Sequence, residues 1–244
     1  MTKSSTKTKK MLDKAVELHV KGELSRAESI YHQVIHEDAS CFAALANLGS
    51  IYFTKNQWQE ATLFLKSAIK VHPSNAELQY KLAVSLHQQN QLEEAIFAYR
   101  KAIDLQPNYP EAYSNLGVAL KHQQKFEEAI VCYQQAIIQQ PDFPDAFSNL
   151  GLALKDIGKI EESIPYFQQA IALKPDFSGA YYNLGLALKD LNNLEEAIIA
   201  LQKSIAICPD YAEVYNSLGA MFYHQNRFQE AIAEYQKAIL LDPT

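Results

Sequence analysis

The chain repeats itself every 34 residues. Frames opening at Thr8, Phe42, Ala76, Pro110, Pro144, Ser178 and Ala212 run through the 244 residues, and seven such units leave no room for another domain. A period of this length marks a stacked array, in which each supersecondary unit buries its apolar face only against its neighbours.

The columns of this frame say what each unit is. Place eight holds only Ala or Gly (Ala15, Gly49, Ala83, Gly117, Gly151, Gly185, Gly219), and place twenty only Ala or Ser, from Ala27 to Ala231. Gly inside a helix costs about 1 kcal/mol relative to Ala, so its return predicts two helix backbones in close approach, with these two columns touching. Large apolar residues recur at place eleven, from Leu18 to Phe222, and at place twenty-four, from Tyr31 to Tyr235, while place twenty-eight is Ile throughout. Such spacings of three and four are helical. Between the two helical runs lies a turn column: Gly22, Asn56, Asn90, Gln124, Gly158, Asn192 and Asn226. All of these but Gln124 are residue types that tolerate a left-handed backbone at a helix C-terminus. The second run opens on acids such as Glu127 and Glu128, which suit the positive end of a helix dipole. It closes ahead of Pro73, Pro107, Pro141, Pro175, Pro209 and Pro243, which cannot continue a helix. Each unit is therefore predicted as helix, tight turn, helix, and the fold class as all-α. Pro165 falls inside a second helix and predicts a local kink.

Charge excludes one class of partner. With 22 Lys+Arg against 28 Asp+Glu, a net charge of -6, nothing is built to coat nucleic acid or an anionic membrane. The basic residues are unevenly placed: MTKSSTKTKK holds Lys3, Lys7, Lys9 and Lys10 without an acid. Residues 1–7 are predicted as a disordered basic tail, with nucleic-acid or lipid contact the alternative role. The tail lacks the apolar core of a secretory signal, and no stretch approaches the roughly 18 apolar residues of a membrane span. Cys41, Cys132 and Cys208 are far apart and form no C-x-x-C pair. They are expected as small packed side chains in a reducing, cytoplasmic setting.

The small, aromatic and proline positions across residues 8–244 resemble the tetratricopeptide repeat. That resemblance implies a right-handed superhelical α-solenoid of seven helix-turn-helix repeats (8–41, 42–75, 76–109, 110–143, 144–177, 178–211 and 212–244). First helices would line the concave groove and second helices the convex side. The first unit departs most, with Lys14 where the others have Leu and Ala39 where they have Pro.

Three phrases carry residues that the helix joint does not require: NLGVALK from Asn115, NLGLALK from Asn149 and NLGLALK from Asn183. The three-and-four rule sets Asn115, Val118 and Lys121 near one face, and likewise Asn149, Leu152, Lys155 and Asn183, Leu186, Lys189. Asn47 holds the same column two units earlier. One reading has these amides bonding to neighbouring repeats or water and stiffening the stack. The other has them forming a ladder that donates to and accepts from the backbone of an extended peptide. The phrases also resemble the arm of protein O-linked N-acetylglucosamine transferases, whose concave-face asparagines hold substrate peptides by the main chain. This resemblance implies peptide contacts at Asn47, Asn115, Asn149 and Asn183, in a column broken by Asp13, Lys81 and Ser217. Four amide contacts at about 0.5 to 1.5 kcal/mol each fall short of the roughly 8 kcal/mol of micromolar binding, so other anchors are required. Val118, Leu152 and Leu186 are expected to take apolar side chains, Tyr80 and Tyr182 to stack or hydrogen-bond, and Lys121, Lys155 and Lys189 to attract acidic segments. Place five (Leu12, Ala46, Tyr80, Ser114, Ser148, Tyr182, Asn216) and an Asn-free place nine argue against a clamp for a C-terminal carboxylate.

Catalysis has no visible apparatus, and neither a cofactor nor a metal is expected. The paired glutamates recur at helix starts, where the dipole explains them. His32 and His36, at i and i+4, bring only Glu37 and Asp38 nearby. Trp58 shares its column with Leu24, Leu92, Phe126, Ile160, Leu194 and Phe228 and reads as packing. The predicted function is a non-catalytic protein-interaction scaffold that binds an extended peptide segment of an unidentified protein in the concave groove. The alternative is the recognition arm of a larger glycosyl-, sulfo- or methyltransferase, because Ala15 to Ile35 resembles the leading repeat of bacterial arrays that precede such domains. The last unit leaves an apolar side uncovered, which is expected of a truncation, a contact between copies or a docking surface.

Overall fold

The computed structural model describes residues 3–242, and every regular element among them is an α-helix. The chain divides into two compact units, residues 1–123 and 124–244. The first holds α1 (Lys3–Val20), α2 (Leu24–Glu37), α3 (Phe42–Thr54), α4 (Trp58–Val71), α5 (Ala76–Gln88), α6 (Leu92–Leu105) and α7 (Pro110–His122). The second holds α8 (Phe126–Gln139), α9 (Pro144–Asp156), α10 (Ile160–Leu173), α11 (Ser178–Asp190), α12 (Leu194–Ile207), α13 (Ala212–His224) and α14 (Phe228–Leu241). From Phe42 onward, every odd-numbered helix opens on the first residue of a 34-residue frame.

One expectation is corrected at the N-terminus. Residues 3–7 are the opening turns of α1 and not a disordered tail, and Lys7 Nζ lies 3.3 Å from Glu37 Oε1 of α2. Lys is a good helix former, and a segment that continues a helix already packed on its partner needs no nucleus of its own. Met1 and Thr2, the rest of that expected tail, lie outside the described residues, as does Pro243.

The turns follow the left-handed column. Gly22 and Gly158 have φ of 79° and 81°, and Asn56, Asn90, Asn192 and Asn226 lie between 57° and 62°. Gln124, the residue type least suited to this, adopts φ of 60° as well. The residue after the left-handed position donates back across the turn, as from Gln57 N to Tyr52 O at 2.9 Å and from Asn193 N to Leu188 O at 2.9 Å. These bonds satisfy carbonyls that the helix end leaves open.

Close approach of helices explains the glycine column, with a refinement. A Cβ on Gly185 would stand 2.7 Å from Leu201 Cδ2 and 3.3 Å from the Ala197 carbonyl oxygen. On Gly219 it would stand 2.9 Å from the Tyr235 ring and 3.2 Å from the Ala231 carbonyl oxygen. The small residue at place twenty thus meets the glycine through its backbone, and the large side chain at place twenty-four closes over it first. Tyr31, Leu65 and Tyr99 in the first unit, and Tyr133, Phe167 and Leu201 in the second, are fully buried in this role. Pro165 interrupts nothing visible, since α10 runs continuously through it.

Within the first unit α3 touches α5 and α5 touches α7; within the second, α9 touches α11 and α11 touches α13. Second helices make no comparable contact with one another among the described residues. First helices therefore pack side by side within each unit, and the Asn column lies on these helices.

Candidate functional site

The Asn column is not uniform. In the first unit, Asn115 Nδ2 on α7 donates to the Tyr80 hydroxyl on α5 at 2.8 Å, and the Tyr80 ring lies 4.9 Å from that of Tyr109. The amide of Asn47 on α3 acts on the Tyr31 hydroxyl, opposing the burial that pushes this phenol up to about 12. His19 Nδ1 stands 3.4 Å from that same hydroxyl. Two of the four amides expected to read a peptide are thus engaged within the stack, as is Tyr80. Burial explains why: a phenol drawn between helices requires a partner, and the nearest amide supplies it.

In the second unit, Asn149 on α9 and Asn183 on α11 are half-buried, and their side chains make no hydrogen bond among the described residues. Leu152 and Leu186, one turn further along each helix, are half-buried as well, and Val118 on α7 of the first unit matches them. The Tyr182 ring lies 5.2 Å from Tyr211, repeating the Tyr80–Tyr109 arrangement. Tyr133 of α8, sixteen residues before Asn149 in the chain, is fully buried, and its hydroxyl has no hydrogen-bond partner among the described residues. Burial raises that phenol well above its ordinary range.

Two of the lysines share an acid. Lys155 Nζ lies 3.1 Å from Asp190 Oδ2, and Lys189 Nζ lies 4.0 Å from the other oxygen of the same carboxylate. One acid between two cations offsets one of their charges and leaves a net +1 on the three side chains. Lys121 of α7 is half-buried.

A relationship missed in the sequence orders these facts. Sixteen residues before each Asn of the column stands an aromatic residue: Tyr31 before Asn47, Tyr99 before Asn115, Tyr133 before Asn149 and Phe167 before Asn183. Where that residue is Leu, as at Leu65 and Leu201, the column holds Lys81 and Ser217 instead. The Asn choice thus tracks an aromatic residue sixteen places earlier. For Asn183 that residue is Phe167, which has no hydroxyl to offer an amide.

The first unit holds histidines on the same face. His87 Nε2 of α5 lies 3.2 Å from His122 Nδ1 of α7, with ring centroids 5.2 Å apart. Burial, with the nearby His122, holds the His87 imidazole below its usual value of 6.5. Elsewhere, His32 Nε2 lies 2.9 Å from the Tyr52 hydroxyl, which donates to Glu28. Among the described residues no three His, Cys, Asp or Glu side chains group as metal ligands, and no helix is long and apolar enough to cross a membrane. Cys132 is buried and Cys41 half-buried, but Cys208 is exposed, contrary to the packed role expected of it.

A family model described as the C-terminal domain of cilia and flagella-associated protein 70 matches residues 5–208, and one described as the tetratricopeptide repeat matches residues 176–241. The chain belongs to the tetratricopeptide-repeat family. No curated protein matches it. Among solved structures, a tetratricopeptide-repeat protein from Parabacteroides merdae is 20% identical with a TM-score of 0.75, covering 96% of this chain and 93% of its own. MamA from Desulfovibrio magneticus, residues 41 to the end, is 24% identical with a TM-score of 0.63, covering 69% and 95%. YrrB, described as a tetratricopeptide-repeat protein with an unusual peptide-binding site, is 24% identical with a TM-score of 0.59, covering 73% and 92%. At these identities the likeness establishes the tetratricopeptide-repeat fold.

Proposed function

We propose that this tetratricopeptide-repeat chain is a non-catalytic scaffold that holds an extended segment of another protein along its first helices, with Asn149 and Asn183 contacting the main chain of that segment. The observation that carries this reading is the difference within one column: Asn47 and Asn115 are engaged by tyrosines, while Asn149 and Asn183 are half-buried with no partner in the chain. A side-chain amide offers two donors and an acceptor oxygen with two lone pairs, which suits a peptide group. Packed helices stand about 8 to 10 Å apart, so amides on neighbouring first helices match about three residues of an extended chain at about 3.3 Å each. Leu152 and Leu186 supply apolar contacts beside the amides, and Tyr182 an aromatic face. With Asp190 offsetting one of the two charges of Lys155 and Lys189, the favoured segment is largely apolar with few acidic side chains. YrrB, with its reported peptide-binding site, supports such a use of the fold.

The test is a peptide array of extended, unrelated sequences probed with the intact chain and with Asn149→Ala/Asn183→Ala. Capture is expected to weaken at least tenfold in the double variant while its melting temperature stays within about 2 °C of the parent. Undiminished capture, or a parallel fall in melting temperature, would remove the amides from the binding role.

A further inference from the structure

The inner face of the first unit carries two imidazoles where the second unit carries a lysine and an aspartate. His87 and His122 are 35 residues apart, one repeat plus one residue, and the same offset joins Lys155 to Asp190. The separations also agree, at 3.2 Å between His87 Nε2 and His122 Nδ1 and 3.1 Å between Lys155 Nζ and Asp190 Oδ2. The two pairs are one device, a tie between successive first helices, made from different chemistry. We propose that the His87–His122 pair is a proton-controlled brace between α5 and α7, closed at neutral pH and released in mild acid.

The proton count decides the behaviour. Two neutral imidazoles hold one ring N–H each, so one ring donates and the other accepts across the 3.2 Å gap. A first added proton leaves an imidazolium donating to an imidazole, and the tie survives. A second removes the remaining acceptor and sets two cations face to face. What acts on His87 is burial and then His122, with no carboxylate among them. From α6, Tyr99 turns its ring edge-on to His87 at 6.4 Å. On α7 the neighbours of His122 are Lys121, itself basic, and Gln123, whose amide donates to Glu93 of α6 at 2.9 Å. Toward α4, Gln89 of the α5 C-terminus bonds to Thr62 and to the Trp58 carbonyl, both uncharged.

The sign follows from the direction of the His87 shift. A histidine whose folded-state affinity for protons is depressed stabilises the fold while neutral, above about 6.5, and loses that contribution as pH falls below it. Histidine is the side chain that ordinarily changes charge between pH 5 and 8, and a lysine–aspartate tie carries no histidine. Acid therefore slackens the first-helix contact of one unit and leaves that of the other intact, whatever the second unit binds.

The test follows histidine ring resonances and thermal melting of the full chain from pH 7.5 to 5 in chelator-treated buffer. The His87 midpoint is expected to rise toward its ordinary value in His122→Asn. His87→Lys/His122→Asp, which installs the pair used at Lys155 and Asp190, is expected to lose fewer degrees of melting temperature than the parent over that range. An unchanged His87 midpoint in His122→Asn, or a parallel loss of melting temperature in the parent and the double variant, would overturn the brace. Should the double variant fail to fold, the midpoint in His122→Asn decides alone.

Discussion

Asn115 and Tyr80 form a 2.8 Å hydrogen bond that ties α7 to α5, so this amide serves the stack. Asn115→Ala is expected to lower the unfolding free energy by about 1 kcal/mol, the usual net value of such a bond. Asn149→Ala, with no bond to lose, should stay within about 0.5 kcal/mol of the parent. Urea unfolding of the two variants side by side checks the contrast, and equal losses would erase the distinction between the two units.

Asp190 sets the charge of the second unit's inner face, because Lys155 and Lys189 share its carboxylate. Asp190→Asn, which takes these three side chains from a net +1 to +2, is expected to raise affinity for glutamate-rich peptides above that of the parent. That gain should shrink as salt rises from about 0.05 to 0.3 M, since the screening length for exposed charges falls from about 14 to about 6 Å over this range. Fluorescence anisotropy with a labelled acidic peptide reads both effects.

Two glycines of α11 should respond in opposite directions to the same substitution. Gly185→Ala drives a methyl group to 2.7 Å from the fully buried Leu201, with the Ala197 carbonyl 3.3 Å away. Overpacking of about 1 to 3 kcal/mol outweighs the gain of about 1 kcal/mol in helix propensity, for a net loss near 1 kcal/mol. At Gly179 the nearest atom would be 3.5 Å away on the Phe177 ring, an ordinary contact. Gly179→Ala should therefore stabilise by about 0.5 kcal/mol, with calorimetry as the measurement.

Gln124 holds a left-handed conformation with φ of 60° that its side chain does not favour. Such a conformation costs a residue with a Cβ about 1 to 2 kcal/mol. Gln124→Gly should return about 0.5 kcal/mol after the larger unfolded-state entropy of glycine is counted. Asn192→Gly, starting from a residue type that tolerates the conformation, should gain less.

Much of the fold is legible in single columns. The turns at Gly22 and Asn192, the helix starts at Phe42 and Pro144, and the glycine that admits Leu201 all follow from residues compared 34 apart. The site is less legible because its contacts do not join equivalent places. Lys155 meets Asp190 and His87 meets His122 at a separation of 35, and the Asn column answers to rings 16 residues earlier. Reading each column alone, Lys155 looks like a free cation and Asn47 like an open amide. The helix pairing places Asp190 beside one and Tyr31 beside the other. The opening turns of α1 escaped for another reason: a lysine-rich, apolar-poor segment has the composition of a solvated tail, and only the helix it extends makes it regular.

The sixteen-residue link between a buried ring and its amide also says where such a chain can be cut and rejoined. The ring sits late in one frame and the Asn early in the next, so exchanging whole frames at the prolines would part Tyr133 from Asn149 and Phe167 from Asn183. Exchange at the turns marked by Asn90, Gly158 or Asn192 would keep every such pair together. The portable module of this array is a second helix with the first helix that follows it, and shuffled or consensus versions assembled in that phase should inherit their inner-face chemistry intact.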